Sequence, residues 1–272
     1  MKILVLGSSG QIGAPLVKYL KQLNHKVYEF DIAFNALEDL RHANAIDTIL
    51  SEVDFVFFLA FDIGGANYIR AYQNTYEFIS NNMKIMSNTF DSLNKSNTPF
   101  IFASTQMSDM LDSTYGMLKR IGEKYTLNMN GKIIKMWNVY GHEKRSFRSH
   151  VITDFIDMAK KDNVIVMQTT GEEMRQFLYV VDCCKCLAII MDKFNEIQKK
   201  ELDVTSFKWI KIIDVAKIVA SHFNGCHIQE GNLSDDVQRN ILREPKEDIL
   251  MYWKPETSIE QGIKNLIENA IL

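Results

Sequence analysis

Short runs of apolar residues alternate along the chain with longer stretches in which apolar positions recur every three or four residues. KILVLG, from Lys2, is a brief apolar run that ends in glycine. QIGAPLVKYLKQL follows and puts Ile12, Leu16, Tyr19, Leu20 and Leu23 on one side of a helix. KVYEFDI predicts a second strand. DFVFFLAF is too continuously apolar to be half exposed, so it predicts a central parallel strand covered on both faces. NTYEFISNNMKIMSNTFDSL predicts a long helix, PFIFAS another buried strand, STYGMLKRIGEKYTLNM another helix and KIIKMWNVYG the next strand. Strand and helix in this rhythm predict an α/β chain with a parallel, doubly wound sheet. Its crossovers are then right-handed. After about residue 142 the rhythm loosens. HVITDFIDMAKK, VDCCKCLAIIMDKF, WIKIIDVAKIVASHF and TSIEQGIKNLIENA predict helices, mixed with short strands at VIVMQ, ELDVT and CHIQE. This pattern divides the chain into 1–142 plus part of 175–206, which builds the sheet, and 143–174 with 207–272, a small α/β region capping it.

Composition changes that picture little. The chain has 272 residues, 46% hydrophobic and 24% charged, with a formal net charge of -3, an ordinary globular balance with ample material for a core. Near-neutral charge gives no electrostatic reason to expect nucleic acid or an anionic membrane as partner. The longest apolar run, FVFFLAF, is far shorter than the ~20 residues a bilayer span needs. MKILVLG runs directly into a glycine-rich turn without a signal-peptide cleavage site, so a cytoplasmic location is the expectation. Of the four cysteines, Cys183, Cys184 and Cys186 crowd into DCCKC. The only second pair on offer, His222 with Cys226, lies beyond a predicted helix and fits no common zinc spacing. The expectation is no metal, no disulfide, and small cysteines buried against the sheet.

Candidate chemistry begins at GSSGQIG. Gly7 suits a tight turn, Gly10 leaves room for a pyrophosphate, and Gly13 lets the helix sit close to the strand. The helix N-terminus beyond supplies oriented N–H groups and the positive end of a dipole. The turn follows a strand and opens a helix, the context a dinucleotide site requires. Gln11 and Ile12 lie within it. Asp31, at the end of the second strand, is placed to accept hydrogen bonds from an adenosine ribose, with Ile32 beside it. A carboxylate there repels a 2′-phosphate, and DIAFNALE holds no Arg or Lys to attract one, so NAD is expected over NADP. Downstream, STYGMLK carries Tyr115 and Lys119 four apart, on one face of a helix. Taken alone, that spacing is common in helices.

With the glycine turn ahead of Tyr-x-x-x-Lys, the chain resembles the extended short-chain dehydrogenase/reductase family. More narrowly, it looks like the NAD-dependent epimerase/dehydratase branch that acts on nucleotide sugars. The resemblance runs in order along nearly the whole chain. Asp39 and Leu40 resemble an adenine-contacting Asp-Leu. Leu59 and Ala60 stand where a Leu-Ala-Ala usually follows the fourth strand, and Asn82 matches a helix asparagine of that branch. ASTQ, through Thr105 and Gln106, resembles the Ser-Ser-Ser/Thr after the fifth strand, and WNVYG, with Asn138, the Asn-x-Tyr-Gly after the sixth. RQFLYVVD, from Arg175, is similar to Arg-Asp-Phe-x-x-Val-x-Asp, and YWKPETSIEQGI to the C-terminal elements. The resemblance implies a Rossmann-type sheet with a small C-terminal substrate-binding region, and NAD held by all the turn and strand-end residues named above. It also implies a cofactor role for Tyr115 and Lys119, and catalysis by Tyr115, Lys119 and Thr105. Gln106, Asn138, Arg175 and Arg239 would touch substrate. In this reading Lys119 and the oxidised nicotinamide favour the phenolate of a tyrosine whose free pKa is about 10. Tyr115 then takes a proton from a hydroxyl held by Thr105, while hydride leaves the same carbon. A homodimer is implied too, through a four-helix bundle of the helix around 70–95 and the one carrying Tyr115.

The sequence also departs from the family. Gln106 and Met107 stand where dehydratases carry an Asp-Glu pair, which disfavours 4,6-dehydration. Met107 also replaces the Cys of the GDP-mannose 3,5-epimerases, although DIGGA at 62–66 looks like their Asp-Met-Gly-Gly. Thr105 and Tyr115 are only ten apart, so the substrate mouth is reshaped or more open. Leu233 stands where a diphosphate-binding Arg often precedes Gly-Asp, which leaves Arg175 as the phosphate ligand. Arg145, Arg148 and His150 offer donors for a base, and the same run also reads as a solvated basic loop. The function expected is an NAD-dependent nucleotide-sugar epimerase or oxidoreductase, working by hydride transfer at a secondary hydroxyl, C4 first. An NAD(P)H-dependent 4-keto-sugar-nucleotide reductase is the alternative, and a non-catalytic NAD-binding sensor or scaffold the rival of another class.

Overall fold

The computed structural model describes residues 1–110, 112–238 and 243–269. In chain order the elements are β1 (Lys2–Leu6), α1 (Gly13–Gln22), β2 (Lys26–Phe30), α2 (Asp47–Leu50), β3 (Phe55–Phe58), α3 (Ala66–Tyr72), α4 (Tyr76–Ser96), β4 (Phe100–Thr105), α5 (Thr114–Leu127) and β5 (Gly131–Met136). They continue with β6 (Asn138–Tyr140), α6 (Val151–Asp162), β7 (Val164–Val166), β8 (Met174–Arg175), β9 (Phe177–Tyr179), α7 (Val180–Asp192), β10 (Glu201–Val204), β11 (Ile210–Lys211), α8 (Ile212–Ala220), β12 (His227–Gln229) and α9 (Ile259–Asn269).

Six strands form one sheet in the order β10-β5-β4-β3-β1-β2, and every pairing is parallel. The order reverses at β1, which lies between β2 and β3. The turn after β1 therefore opens into the crevice where ligands of such sheets bind. Side chains alternate across the sheet as the strand period of two requires. Ile3, Val5, Phe55 and Phe57 face α1 and α7, while Leu4, Leu6, Val56, Phe58, Phe100 and Phe102 face α4 and α5. The expected α/β sheet with both faces covered is therefore what forms. The three cysteines of DCCKC are buried in α7. A third apolar cluster, including Ile152, Phe155, Ile165, Val215 and Ile263, binds α6, α8 and α9 around the small sheets β7–β12 and β8–β11.

Three details differ from the sequence reading. DFVFFLAF forms a strand only at Phe55–Phe58, the third of this chain and not a fourth. Residues 31–54 make turns and the single turn α2, because no apolar run of strand length lies there. KIIKMWNVYG breaks at Trp137. Its indole Nε1 donates to Asp203 Oδ1 at 3.1 Å, and beyond it β6 leaves the sheet to pair with β9. ELDVT forms the outer strand β10 of the main sheet. Finally, α3 had no periodic signal in so short a segment.

Two glycines let α5 lie unusually close to β4. A Cβ on Gly122 would overlap the Phe102 ring, and one on Gly116 would overlap the Met107 carbonyl. Ser113 caps the helix, its Oγ accepting from Gly116 N at 3.1 Å. The same hydroxyl donates to Gln73 Oε1 at 3.1 Å, and Tyr115 N donates to that oxygen at 3.3 Å. The start of α5 is thus pinned from three sides.

Candidate active site

One cavity of about 1060 Å³ runs from the turn after β1 to β8. That is at the upper end of the ~300–1,000 Å³ usual for ligand pockets. At one end lies the glycine turn. Gly7 has φ +83, and its Cβ position is closed by the Ala60 backbone. A Cβ on Gly13 would overlap the Gly7 carbonyl, so helix α1 touches the turn only because that residue is glycine. Gly10 is different: its Cβ would meet only Gly7 O, at 3.3 Å, so the space it leaves belongs to the cavity. Gln11 Nε2 is buried and has no hydrogen-bond partner among the described residues. A cradle beside glycine backbone and an orphaned donor fit a pyrophosphate, and the residues present suit a dinucleotide.

Asp31 braces this end. Its Oδ2 accepts from Ser9 N and its Oδ1 from Ala33 N, each at 2.9 Å, and its own N–H donates to Glu38 Oε2 at 2.8 Å. Each carboxylate oxygen keeps a lone pair for a ribose hydroxyl. Glu38 and Arg41, which the sequence reading passed over, line the same wall. Arg41 grips Asp39 through Nε at 2.9 Å and through a second nitrogen at 2.7 Å, which holds the Asp39 carboxyl below its usual range. Asp39, Leu40, Ile12, Ile32, Leu59 and Ala60 also line the cavity.

Asn82 does not. It is fully buried, with Oδ1 accepting from Asp62 N at 2.8 Å and Nδ2 donating to Asp62 O and Phe78 O. It fixes the loop after β3. That loop carries Asp62, whose carboxylate accepts from Tyr68 Oη at 2.8 Å and from Arg148 at 3.0 Å. Arg148 also stacks over the Tyr68 ring at 4.0 Å. Arg145 is paired with Asp157 and His150 with Glu143, so all three donors of the basic run have protein partners.

At the centre, Thr105 ends β4 and Tyr115 begins α5, and both line the cavity. Thr105 acts on the Tyr115 hydroxyl and favours its ionised form. Burial pushes the phenol up to about 12, with Thr105 pulling the other way. Lys119 lies behind the cavity wall, not on it. Its Nζ donates to Ala103 O at 2.6 Å and sits 3.8 Å from the Phe61 ring centre. Burial lowers it to about 7, opposed by Glu123 one turn further on. The expected support of the phenolate by Lys119 is therefore not built into the resting geometry, because a carbonyl and an aromatic face hold the ammonium instead. Gln106 is buried in the turn after β4 and off the wall, and Met107 lines the cavity in its place.

At the far end are Asn138 and Arg175. Arg175 is ion-paired with Asp235 and donates to Met174 O at 2.7 Å, so part of the fork expected to hold phosphate is engaged. Arg239 lies outside the described residues. Gln238, which no sequence signal marked, lines the wall opposite Met107. Among the described residues no group of three or more His, Cys, Asp or Glu is placed to hold a metal. No helix among them is long and apolar enough to cross a membrane.

Comparison with known proteins agrees with this arrangement. The "Putative UDP-glucose 4-epimerase" of Methanocaldococcus jannaschii is 28% identical over 164 residues, 57% of this chain and 52% of that protein. This chain thus spans about half the length of that relative. The solved UDP-glucose 4-epimerase of Thermotoga maritima superposes with a TM-score of 0.82 at 19% identity, covering 100% of this chain and 99% of that one. A GDP-mannoheptose C4 reductase from Campylobacter jejuni, solved with NADP bound, gives 0.77 at 18% identity, over 100% and 98%. These two likenesses show the fold. The sequence pattern of one family matches residues 3–204, most of the sheet and its crossovers. The chain belongs to the NAD dependent epimerase/dehydratase family.

Proposed function

We propose that the chain is an NAD-dependent nucleotide-sugar enzyme that oxidises or reduces one secondary sugar hydroxyl, most readily C4, and epimerises it if the keto sugar turns over in place. The observation that carries this reading is Tyr115 and Thr105 brought together on the wall of a cavity that begins at a dinucleotide turn. Thr105 holds the reacting hydroxyl, and Tyr115 exchanges its proton. A phenol pushed up to about 12 stays protonated near neutrality, so Tyr115 as built holds its proton for a strongly basic alkoxide and takes one only when positive charge enters the cavity. NAD, the family's cofactor, supplies that charge when oxidised, together with the hydride chemistry. Lys119, buried beside the site, adds charge when protonated. Gln106 and Met107 offer no proton for elimination at the position where dehydratases act, which favours hydride chemistry alone.

A 4-keto reductase would use the same residues with the proton moving from Tyr115 to substrate. Intact Tyr115, Thr105 and Lys119 in a formed cavity weigh against a mere NAD sensor. The test is turnover by Tyr115→Phe, which should fall at least ~100-fold while NAD still binds; full activity would end the mechanism.

We also propose a homodimer through α4 and α5. Their outer faces expose Tyr76, Ile79 and Met83 on one helix and Met117, Ile121 and Tyr125 on the other. A second copy of the same pair would cover them.

A further inference from the structure

Where related enzymes carry acid/base side chains, this chain has Met107, and the structure places an amide against it. Gln238, from the segment after β12, lays its Nε2 3.7 Å from Met107 Sδ and 3.3 Å from Asn138 Oδ1. Met107 in turn donates its backbone N–H to Thr105 Oγ1 at 3.2 Å, so this cluster adjoins the proposed reacting position. Gln238 and Asn138 both line the cavity. Asn138 Nδ2 and Gln238 Oε1 are nevertheless buried without a hydrogen-bond partner among the described residues.

The two orphaned atoms are complementary: one donates and one accepts. A thioether is a weak acceptor, which turns the amide nitrogen of Gln238 toward Met107. Reversing both carboxamides together would keep the bond between them and again leave one donor and one acceptor, so the pair has this character in either orientation. Its position is fixed from behind. Asp235 Oδ1 accepts from Val237 N at 2.9 Å and from Gln238 N at 3.2 Å. Arg175, paired with Asp235, also donates to Gln238 O at 3.4 Å. Two buried polar atoms left unpaired are costly, and a ligand that pairs both removes that cost.

We propose that Gln238 and Asn138 form the sugar-reading pair of this site, taking two neighbouring hydroxyls of the sugar ring. The proposal rests on the nucleotide-sugar reading above. A hydroxyl both donates and accepts, so two of them satisfy both orphaned atoms. A carboxylate only accepts; it would serve the Asn138 nitrogen and face the Gln238 carbonyl with no proton to give. The pair therefore favours a ring face that carries two hydroxyls over one that carries a carboxylate. A site built to hydrogen-bond hydroxyls discriminates because its own polar groups are left unpaired by the wrong ligand.

Calorimetry on the full chain saturated with NAD tests this. The probes are GDP-mannose, UDP-glucose, dTDP-glucose and UDP-glucuronate, each against its bare nucleoside diphosphate. At least one conjugate should bind about tenfold tighter than its diphosphate. Gln238→Leu and the smaller Gln238→Ala should each erase the gain while leaving diphosphate and NAD affinity within about twofold. A gain that survives both substitutions overturns the proposal. Equal binding of conjugate and diphosphate by the unaltered chain overturns it alone. Binding of NAD with neither conjugates nor diphosphates overturns the nucleotide-sugar reading and this inference with it.

Discussion

Lys119 shows how far burial can move a residue from its free chemistry. The unfolded lysine keeps its proton up to about 10.5, the folded one only to about 7. Between those values the unfolded state binds more protons, so stability rises with pH through that window. The cost of burying the charge is complete below about 7 and gone above about 10.5. Lys119→Met should therefore gain stability over the unaltered chain near pH 6.5, by an amount of the order of a few kcal/mol, and lose the gain by about pH 10. Urea unfolding at both pH values reads the difference, and a pH-independent gap would mean that the lysine titrates normally. Tyr115 could be picked out from the sequence by its place in a known pattern. Its raised pKa could not, because that depends on the walls of a cavity that residues far apart in the chain enclose. Gln238 gave no sequence signal at all: its meaning comes from Met107 and Asn138, more than a hundred and exactly a hundred positions away respectively.

At the scale of elements, the glycine turn makes two substitutions behave differently. Gly10→Ala meets only one carbonyl at 3.3 Å, so the chain should fold with little change in melting temperature and lose NAD affinity at least about tenfold. Gly13→Ala drives a methyl into the Gly7 carbonyl and should destabilise the fold by about 1–3 kcal/mol as well. Thermal melts beside NAD titrations separate the two; equal melting temperatures would refute the contrast. Ser113→Ala should cost about 1 kcal/mol by uncapping α5. The strands buried on both faces were legible because a parallel sheet demands unbroken apolar runs, as at β3 and β4. The break at Trp137 was not, since it depends on Asp203, a residue of β10. Nor was Arg41 legible as a cavity residue, because the turns of 31–54 carry it back to the wall.

The whole molecule is a sheet that supplies the turn and the Tyr115–Thr105 pair, with β6, β8 and the segment after β12 closing the cavity through Asn138, Arg175 and Gln238. The sequence indicated the first half well, because strand ends and glycines are local signals. It indicated the second poorly, because short two-stranded pairings such as β7–β12 and β8–β11 carry little periodicity. The exposed apolar faces of α4 and α5 belong to this scale too. Introducing Met83→Glu and Ile121→Glu together should convert a dimer to a monomer by light scattering without lowering the melting temperature of the subunit; a mass unchanged by the pair, or a monomer from the start, would remove the dimer from the account. The central claim is turnover of a nucleotide sugar at this cavity. The most direct measurement incubates the chain and NAD with UDP-, dTDP- and GDP-sugars, follows reduced nicotinamide by absorbance, and resolves the sugars by NMR. The account predicts one substrate that yields either accumulating NADH with a keto sugar or a new stereoisomer without net NADH, each abolished by Tyr115→Phe. NAD binding with every sugar recovered unchanged, and no keto sugar reduced when NADH is supplied instead, would contradict it.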